Sequence, residues 1–405
     1  MHNFLTNSGA LGMTYGLLQA LVRRDRSSEE FKRVADLGTR FFLCSFGLLA
    51  IFSIILARPV SVLLFSSPDY SGAVRAVAFA VFASGIGMAS DHIMIAVGLT
   101  TRYTVTRSAN YLLAAGGTVI GTFVGGVSGA IWGWSLGFIV AIAVTWAATY
   151  QSIGVPRLWR ALRFWETQDW QTDRTFYGEM APVGVTTTLV SFITIGGQMA
   201  LRTAMIHRLG ESELGLYQAL VMLTTALSPL VSNAIWARYY PVAGAEADPA
   251  RLDQATRWTL LYCILVMTPL NFAVLIGAKV IVPLALSQKF APILPWLAWQ
   301  LAAELLTRVF GMYHQLLLAR NRFRAYLLLG AVQAVTFLVP GLLLLSSAGV
   351  MGVVAAGVFS GACSVALGAW FARDVGVRLR PREAMALAGS LATLALPALI
   401  GSQFF

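Results

Sequence analysis

The chain predicts an all-α fold: a polytopic transmembrane helical bundle of about twelve spans, arranged as two parallel six-helix-type lobes around a central cavity. Three observations predict it. Of 405 residues, 57% are hydrophobic and 12% charged, with mean hydropathy +0.71, whereas soluble domains carry roughly a quarter charged residues. Apolar stretches of the roughly 17–25 residues that a bilayer requires recur along the whole length. Within one of them Gln300, Glu304, Arg308, Gly311 and Gln315 step by 4, 4, 3 and 4, which gathers them on one helix face. Hydrocarbon cannot solvate that face, so it requires a protein interior or a water-filled cavity.

In chain order, the expected spans begin with 3–22, where Asn3, Asn7 and Thr14 mark one face, followed by 41–65. The span 75–99 carries Ser84, Gly87, Asp91 and Gly98 near one side, with Arg102 just beyond. Spans 109–126 and 129–150 are separated only by a very short turn at Gly126. The longest connection, 151–180, mixes Arg157, Trp159, Arg160, Trp165, Glu166 and Asp169, a composition suited to an amphipathic helix at the inner surface. It serves either as a tether that lets two lobes rock or as a plain linker. A second polar stripe, Thr187, Ser191, Thr194, Gln198 and Arg202, lies in 181–202. The remaining spans are 215–238, 258–286, 292–318, 325–346, 349–372 and 384–401.

Numbering the connections alternately places 22 of the 29 Lys and Arg residues on one side and six on the other, with Arg308 inside a span. The rich side is cytoplasmic by the positive-inside rule. The net charge of +11 and pI near 10.0 therefore express topology, and a nucleic-acid partner is excluded. This orientation puts Met1 outside. Residues 1–22 have neither the basic n-region nor the cleavage site of a signal peptide, and an uncleaved outer start is awkward to insert. A first, inward-starting helix is therefore expected to be missing upstream; a true outside start is the alternative.

An internal repeat organises the chain. Displaced by 220 positions, Ser67, Tyr70, Arg102 and Tyr103 fall on Ser287, Phe290, Arg322 and Phe323, and Gly126-Val-Ser-Gly129 recurs as Gly349-Val-Met-Gly352. An even number of spans preserves orientation, so the expected copies are parallel, with the substrate site between them. The expected organisation is a truncated N-terminal lobe (1–150), a cytoplasmic linker (151–180), a C-terminal lobe (181–375) and an additional C-terminal helix (376–405). Glycines at positions 129, 133 and 137, and at 357 and 361, have the spacing that lets helices pack closely.

Cys44, Cys263 and Cys363 lie apart in apolar spans without metal-ligand spacing, so they read as small core residues, and neither metal nor cofactor is expected. The chain has no nucleophile elbow or phosphate-binding loop, and no connection long enough to fold a catalytic domain. Transport is expected, not an enzyme. Arg308 and Arg202, with Arg102 at the inner rim, can donate charge-assisted hydrogen bonds to phosphate oxygens. Gln198, Gln300, Gln315 and Asn7 supply neutral polar groups to the same expected cavity. Glu304, four residues before Arg308, either neutralises it or is released to take a proton when phosphate claims the arginine. Asp91 with His92 is a second candidate ion-coupling site, against the alternative of an aspartate satisfied between helices.

Residues 36–375 resemble the lipid-linked oligosaccharide flippases of the multidrug/oligosaccharidyl-lipid/polysaccharide superfamily, particularly the branch moving the enterobacterial common antigen repeat. The resemblance is carried by Pro68-Asp69-Tyr70-Ser71-Gly72-Ala73-Val74-Arg75, Leu214-Gly215-Leu216-Tyr217-Gln218 and Tyr240-Pro241. It is carried further by Ser287-Gln288-Lys289-Phe290, and by Trp299-Gln300-Leu301 on through Glu304, Arg308 and Tyr313 to Ala319-Arg320. It implies an acid and a base at Glu304 and Arg308 in a cavity-lining helix, and a flippase in the bacterial inner membrane. Its substrate would be an undecaprenyl-pyrophosphate-linked oligosaccharide; other partners would be membrane lipids and polymerase or other glycan-assembly proteins. By the same resemblance, the family's first helix is expected to be missing upstream of this sequence, and the expected span 384–401 to extend past the branch's usual end. Two rivals remain: a cation-coupled multidrug exporter of the same fold, which favours acidic cavity residues, and a membrane glycan polymerase or ligase, which needs a large outer loop.

Overall fold

The computed structural model describes residues 10, 12–26, 28–65, 68–153, 170–226 and 228–400. Among them all regular structure is helical, and six segments are long and apolar enough to cross a membrane. The protein is thus an all-α, multi-pass membrane protein. It forms two compact units, Met1–Thr188 and Leu189–Phe405.

The first unit holds α1 (Met13–Val22), α2 (Glu29–Ile55), α3 (Ala57–Phe65), α4 (Ser71–Val97), α5 (Thr100–Ile153) and the start of α6 (Trp170–Leu209). Helix α4 is its hub and touches α1, α2, α3 and α5. Its sequence explains why: Ala73, Ala76, Ala80, Ala83, Gly85 and Gly87 are buried, so neighbouring helices can approach closely. Lipid tails are as apolar as leucine, so this contact, rather than escape from water, holds such helices together. A Cβ on Gly85 would stand 2.9 Å from the ring of Phe46 in α2, and one on Gly87 would stand 2.4 Å from Ile142 in α5. Residues 170–180, the end of the expected linker, are the first turns of α6; Phe176 and Met180 are fully buried there. The expected surface helix around 157–166 lies outside the described residues.

The second unit contains the rest of α6, then α7 (Glu211–Thr225), α8 (Ser228–Ala245), α9 (Pro249–Ile276), α10 (Ala278–Ala285), α11 (Leu294–Ala319), α12 (Phe323–Ala372) and α13 (Pro381–Ile400). Helix α11 is the hub, in contact with α7, α8, α9, α12 and α13.

Element order repeats between the units. Helices α2, α3, α4 and α5 start at 29, 57, 71 and 100, and α9, α10, α11 and α12 start at 249, 278, 294 and 323. A short 3-10 turn precedes each hub, Pro68–Tyr70 in one unit and Gln288–Ile293 in the other. The repeated Gly-Val-x-Gly motif has a specific cause. Gly126 (φ 56°, ψ −136°) and Gly349 (φ 55°, ψ −136°) reverse the chain in a conformation closed to side chains. The fourth residue of each motif is where the returning arm meets the outgoing one: a Cβ on Gly129 would lie 2.1 Å from the Gly121 carbonyl, and one on Gly352 would lie 2.5 Å from that of Leu344. Each of α5 and α12 is therefore a hairpin of two spans. In α5 the arms touch backbone to backbone through Gly117, Gly121, Gly129, Gly133 and Gly137, which adds two partners to the three glycines predicted to pack.

Other expected spans differ in their ends. The spans 41–65, 215–238 and 258–286 are interrupted at Leu56, Ala226 and Gly277. Helices α2 and α9 begin well before their apolar residues, because capping sets a helix start and hydropathy does not. The Phe31 N–H donates to Ser28 Oγ at 3.1 Å, and the Ala250 N–H donates to Asp248 Oδ1 at 2.9 Å with Pro249 opening the helix.

Candidate functional site

A cavity of about 330 Å³ lies within the second unit, walled by α6, α7, α11 and α12. That volume has room for about ten waters at roughly 30 Å³ each. Six residues of the two polar stripes read from the sequence meet in it: Thr194, Gln198 and Arg202 from α6, and Gln300, Glu304 and Arg308 from α11. Helical periodicity brings them there, because each set repeats every four residues and each helix turns that stripe to the same space. The lower half of the α6 stripe serves packing instead: Thr187 Oγ1 donates to the Gly12 carbonyl at 3.0 Å.

The geometry around Arg308 is a four-residue clamp. Glu304 Oε1 accepts from Arg308 Nε at 2.7 Å, from Arg308 Nη2 and from Ser228 Oγ, while Arg308 Nη1 donates to Ser232 Oγ at 3.2 Å. Ser228 and Ser232 are four apart on α8, as Glu304 and Arg308 are on α11, so two helix turns are bolted in register. Glu304 is 5% exposed, and three donors to one oxygen compensate its removal from water. All three guanidinium nitrogens of Arg308 are engaged. Among the described residues Arg202 makes no hydrogen bond or ion pair, which leaves its guanidinium available to an incoming anion.

Sequence reasoning missed the serines and several other parts of the lining, notably Gln333 and Ser360 of α12. Gln333 is a lone polar residue in an apolar span, and Ser360 was hidden between two glycines read as packing. Both glycines border the cavity, but only one is also a tight helix contact. Gly361 seats α12 against Leu306, where an added Cβ would come within 2.7 Å, while Gly357 borders the cavity with Ala303 at 3.5 Å.

The other predicted residues lie elsewhere. Gln315 is seven residues past Arg308, about 10 Å along a helix rising 1.5 Å per residue. It does not line the cavity, and its Oε1 is buried without a partner. Arg102, Asp91 and His92 belong to the first unit. Asp91 pairs through Oδ2 with Arg107 Nη1 at 3.0 Å, its Oδ1 is buried without a partner, and His92 Nδ1 stands 2.5 Å from the Met88 carbonyl. Asn7 lies outside the described residues. Of the three cysteines expected in the core, only Cys263 is buried; Cys363 is half-buried and Cys44 is exposed on the side of its helix. Among the described residues no His, Cys, Asp and Glu side chains group as metal ligands do.

Comparison with known proteins follows the same lines. Residues 1–295 match the family described as "Polysaccharide biosynthesis protein". Over 325 residues the chain is 22% identical to the Lipid III flippase of Escherichia coli (strain K12) and to that of Shigella flexneri, covering 78% of this chain and 74% of each relative. Among solved structures, the outward-facing conformation of a multidrug resistance MATE family transporter of the MOP superfamily superposes with TM-score 0.73 at 16% identity, covering 95% of this chain and 86% of that one. A MOP superfamily transporter from Pyrococcus furiosus, described as having a binding pocket of reverse polarity, superposes with TM-score 0.68 at 14% identity, covering 92% of this chain and 86% of that one. These structural likenesses give the fold.

Proposed function

The chain belongs to the polysaccharide biosynthesis protein family, and from that premise we propose that it is a flippase for an undecaprenyl-pyrophosphate-linked oligosaccharide. It moves this lipid from the inner to the outer leaflet of the bacterial plasma membrane by alternating access. One observation carries the reading: a polar cavity holding two arginines and one carboxylate, with carboxamides and hydroxyls around them. The excess positive charge suits pyrophosphate, and the neutral polar groups suit sugar hydroxyls. An exporter of cationic drugs would be served by the opposite polarity. The protein removes the cost of drawing sugars and phosphates through hydrocarbon, while the polyprenyl tail stays in lipid.

Arg202 takes the phosphate first, since it has no protein partner to surrender. Arg308 follows, exchanging Glu304 for phosphate and freeing the carboxylate. Arg202→Gln in a flippase-deleted strain is expected to cut the surface glycan formation rate roughly tenfold to hundredfold, the scale of one or two charge-assisted hydrogen bonds. Undecaprenyl-linked precursor should accumulate in the inner leaflet. Normal surface glycan with this variant at wild-type abundance would remove the assignment.

Coupling to protons is tested separately. Glu304→Gln and Asp91→Asn each remove a titratable carboxylate from a buried ion pair. In right-side-out vesicles loaded with the substrate, the carboxylate that couples will, once replaced, flatten the dependence of transport on the external pH. A profile unchanged in both variants would mean that proton coupling runs through neither.

A further inference from the structure

A second cavity, also about 330 Å³, lies in the second unit where α11 turns into α12. Its walls include Arg320, Asn321 and Arg322 of that turn, Ala247 and Pro249 at the start of α9, and Asp374 of the 3-10 helix Arg373–Val375. Positive-inside counting puts this end of the helices on the cytoplasmic side.

Its depth is marked by aromatic residues. Trp258 on α9 is 67% exposed and Trp370 on α12 is 59% exposed, as side chains of the interfacial belt are. Pro249 precedes Trp258 by nine residues and Asp374 follows Trp370 by four, so the cavity lies about 6–13 Å beyond the belt at 1.5 Å per residue. The polar layer of each leaflet is about 5–8 Å thick. The cavity therefore lies at the cytoplasmic edge of the inner-leaflet headgroup layer or just past it.

Its charges are unmatched, unlike those around it. Asp248, Asp253 and Glu383 each hold an arginine, Arg251 at 3.7 Å, Arg380 at 3.2 Å and Arg257 at 2.8 Å. Among the described residues neither Arg322 nor Asp374 has a side-chain hydrogen bond or ion pair. Arg320 is positioned by the bond from its Nη2 to the Glu246 carbonyl, yet its Nε is buried with no partner. Two guanidinium groups and one carboxylate around one small space match a ligand that carries a negative and a positive end together.

We propose that this cavity binds the headgroup of an ethanolamine phospholipid, a phosphodiester joined to a primary ammonium. The phosphodiester oxygens accept from Arg320 and Arg322, and the ammonium donates to Asp374. A choline headgroup has no N–H for that carboxylate, and a glycerol headgroup brings no cation to it. This inference stands independently of the flippase reading.

The test is native mass spectrometry of the full chain released from micelles holding equal phosphatidylethanolamine, phosphatidylglycerol and phosphatidylcholine. Ethanolamine lipid should be retained at least about tenfold over either competitor, the ratio one charge-assisted hydrogen bond sustains. Arg322→Gln should lower retention, and Asp374→Asn should erase the preference for ethanolamine over glycerol. Both side chains are exposed, so a monodisperse size-exclusion profile will separate binding from misfolding. Equal retention of choline and ethanolamine lipid by the wild type, or a preference intact in Asp374→Asn, overturns the proposal. Displacement of the lipid by millimolar inorganic phosphate also overturns it, and would assign the cavity to a soluble phosphate instead.

Discussion

Arg308→Ala will leave a flippase-deleted cell without detectable surface glycan when it replaces the wild-type gene. Two effects combine. The cavity loses one of its two arginines, and Glu304 keeps only Ser228 while remaining 5% exposed. Removing one member of a buried ion pair costs about 3–5 kcal/mol, because the remaining charge is stranded away from water. The single variant should therefore also be less abundant in the membrane, by immunoblot, than the wild type. Glu304→Gln/Arg308→Gln separates the effects, since two carboxamides can hydrogen-bond to each other and to Ser228 and Ser232 without a stranded charge. That double variant should return to near wild-type abundance and still fail to rescue. Normal surface glycan from it would show that the pair serves stability alone.

Gly121→Ala will destabilise the protein, whereas Gly116→Ala, five residues earlier on the same arm of α5, will not. A Cβ at position 121 would stand 2.0 Å from the Gly129 carbonyl oxygen, while one at 116 meets nothing within 4 Å. The obstacle at 121 is backbone, so relief requires the hairpin to open, and its other glycine crossings open with it. Overpacking costs typically 1–3 kcal/mol and sometimes more; at 116 the change should be neutral or gain up to about 1 kcal/mol from helix propensity. Thermal unfolding in detergent, followed by fluorescence-detected size exclusion, reads both: Gly121→Ala should lower Tm and Gly121→Val should leave little folded protein. Equal Tm values for Gly121→Ala and Gly116→Ala would contradict the packing account.

The residues that were legible before folding share one property: their meaning is periodic and local. Hydropathy marks where spans lie, and the four-residue steps from Gln300 to Arg308 and from Thr194 to Arg202 mark faces that lipid cannot wet. The repeated Gly-Val-x-Gly motif was legible as a repeat, with its turn at Gly126 and close packing at Gly129, although the matching backbone contact at Gly352 was not. Ser228 and Ser232 escaped notice because hydroxyls are common in apolar helices, where they usually bond to their own backbone. Their role arises only when α8 lies beside α11 in the matching register.

Fold class, membrane residence and the polar faces were determined by the chain itself, because each follows from how single residues partition between water, headgroup and hydrocarbon. Tertiary structure alone decided which polar residues share a space. It brought Gln198 and Arg202 together with Gln300, Glu304 and Arg308, kept Gln315 out, and gave Asp91 to Arg107. The physical reason is that a helix face is set by neighbours three and four residues away, whereas a partner 76 residues distant, as Ser228 is from Glu304, is set by packing, on which local periodicity is silent.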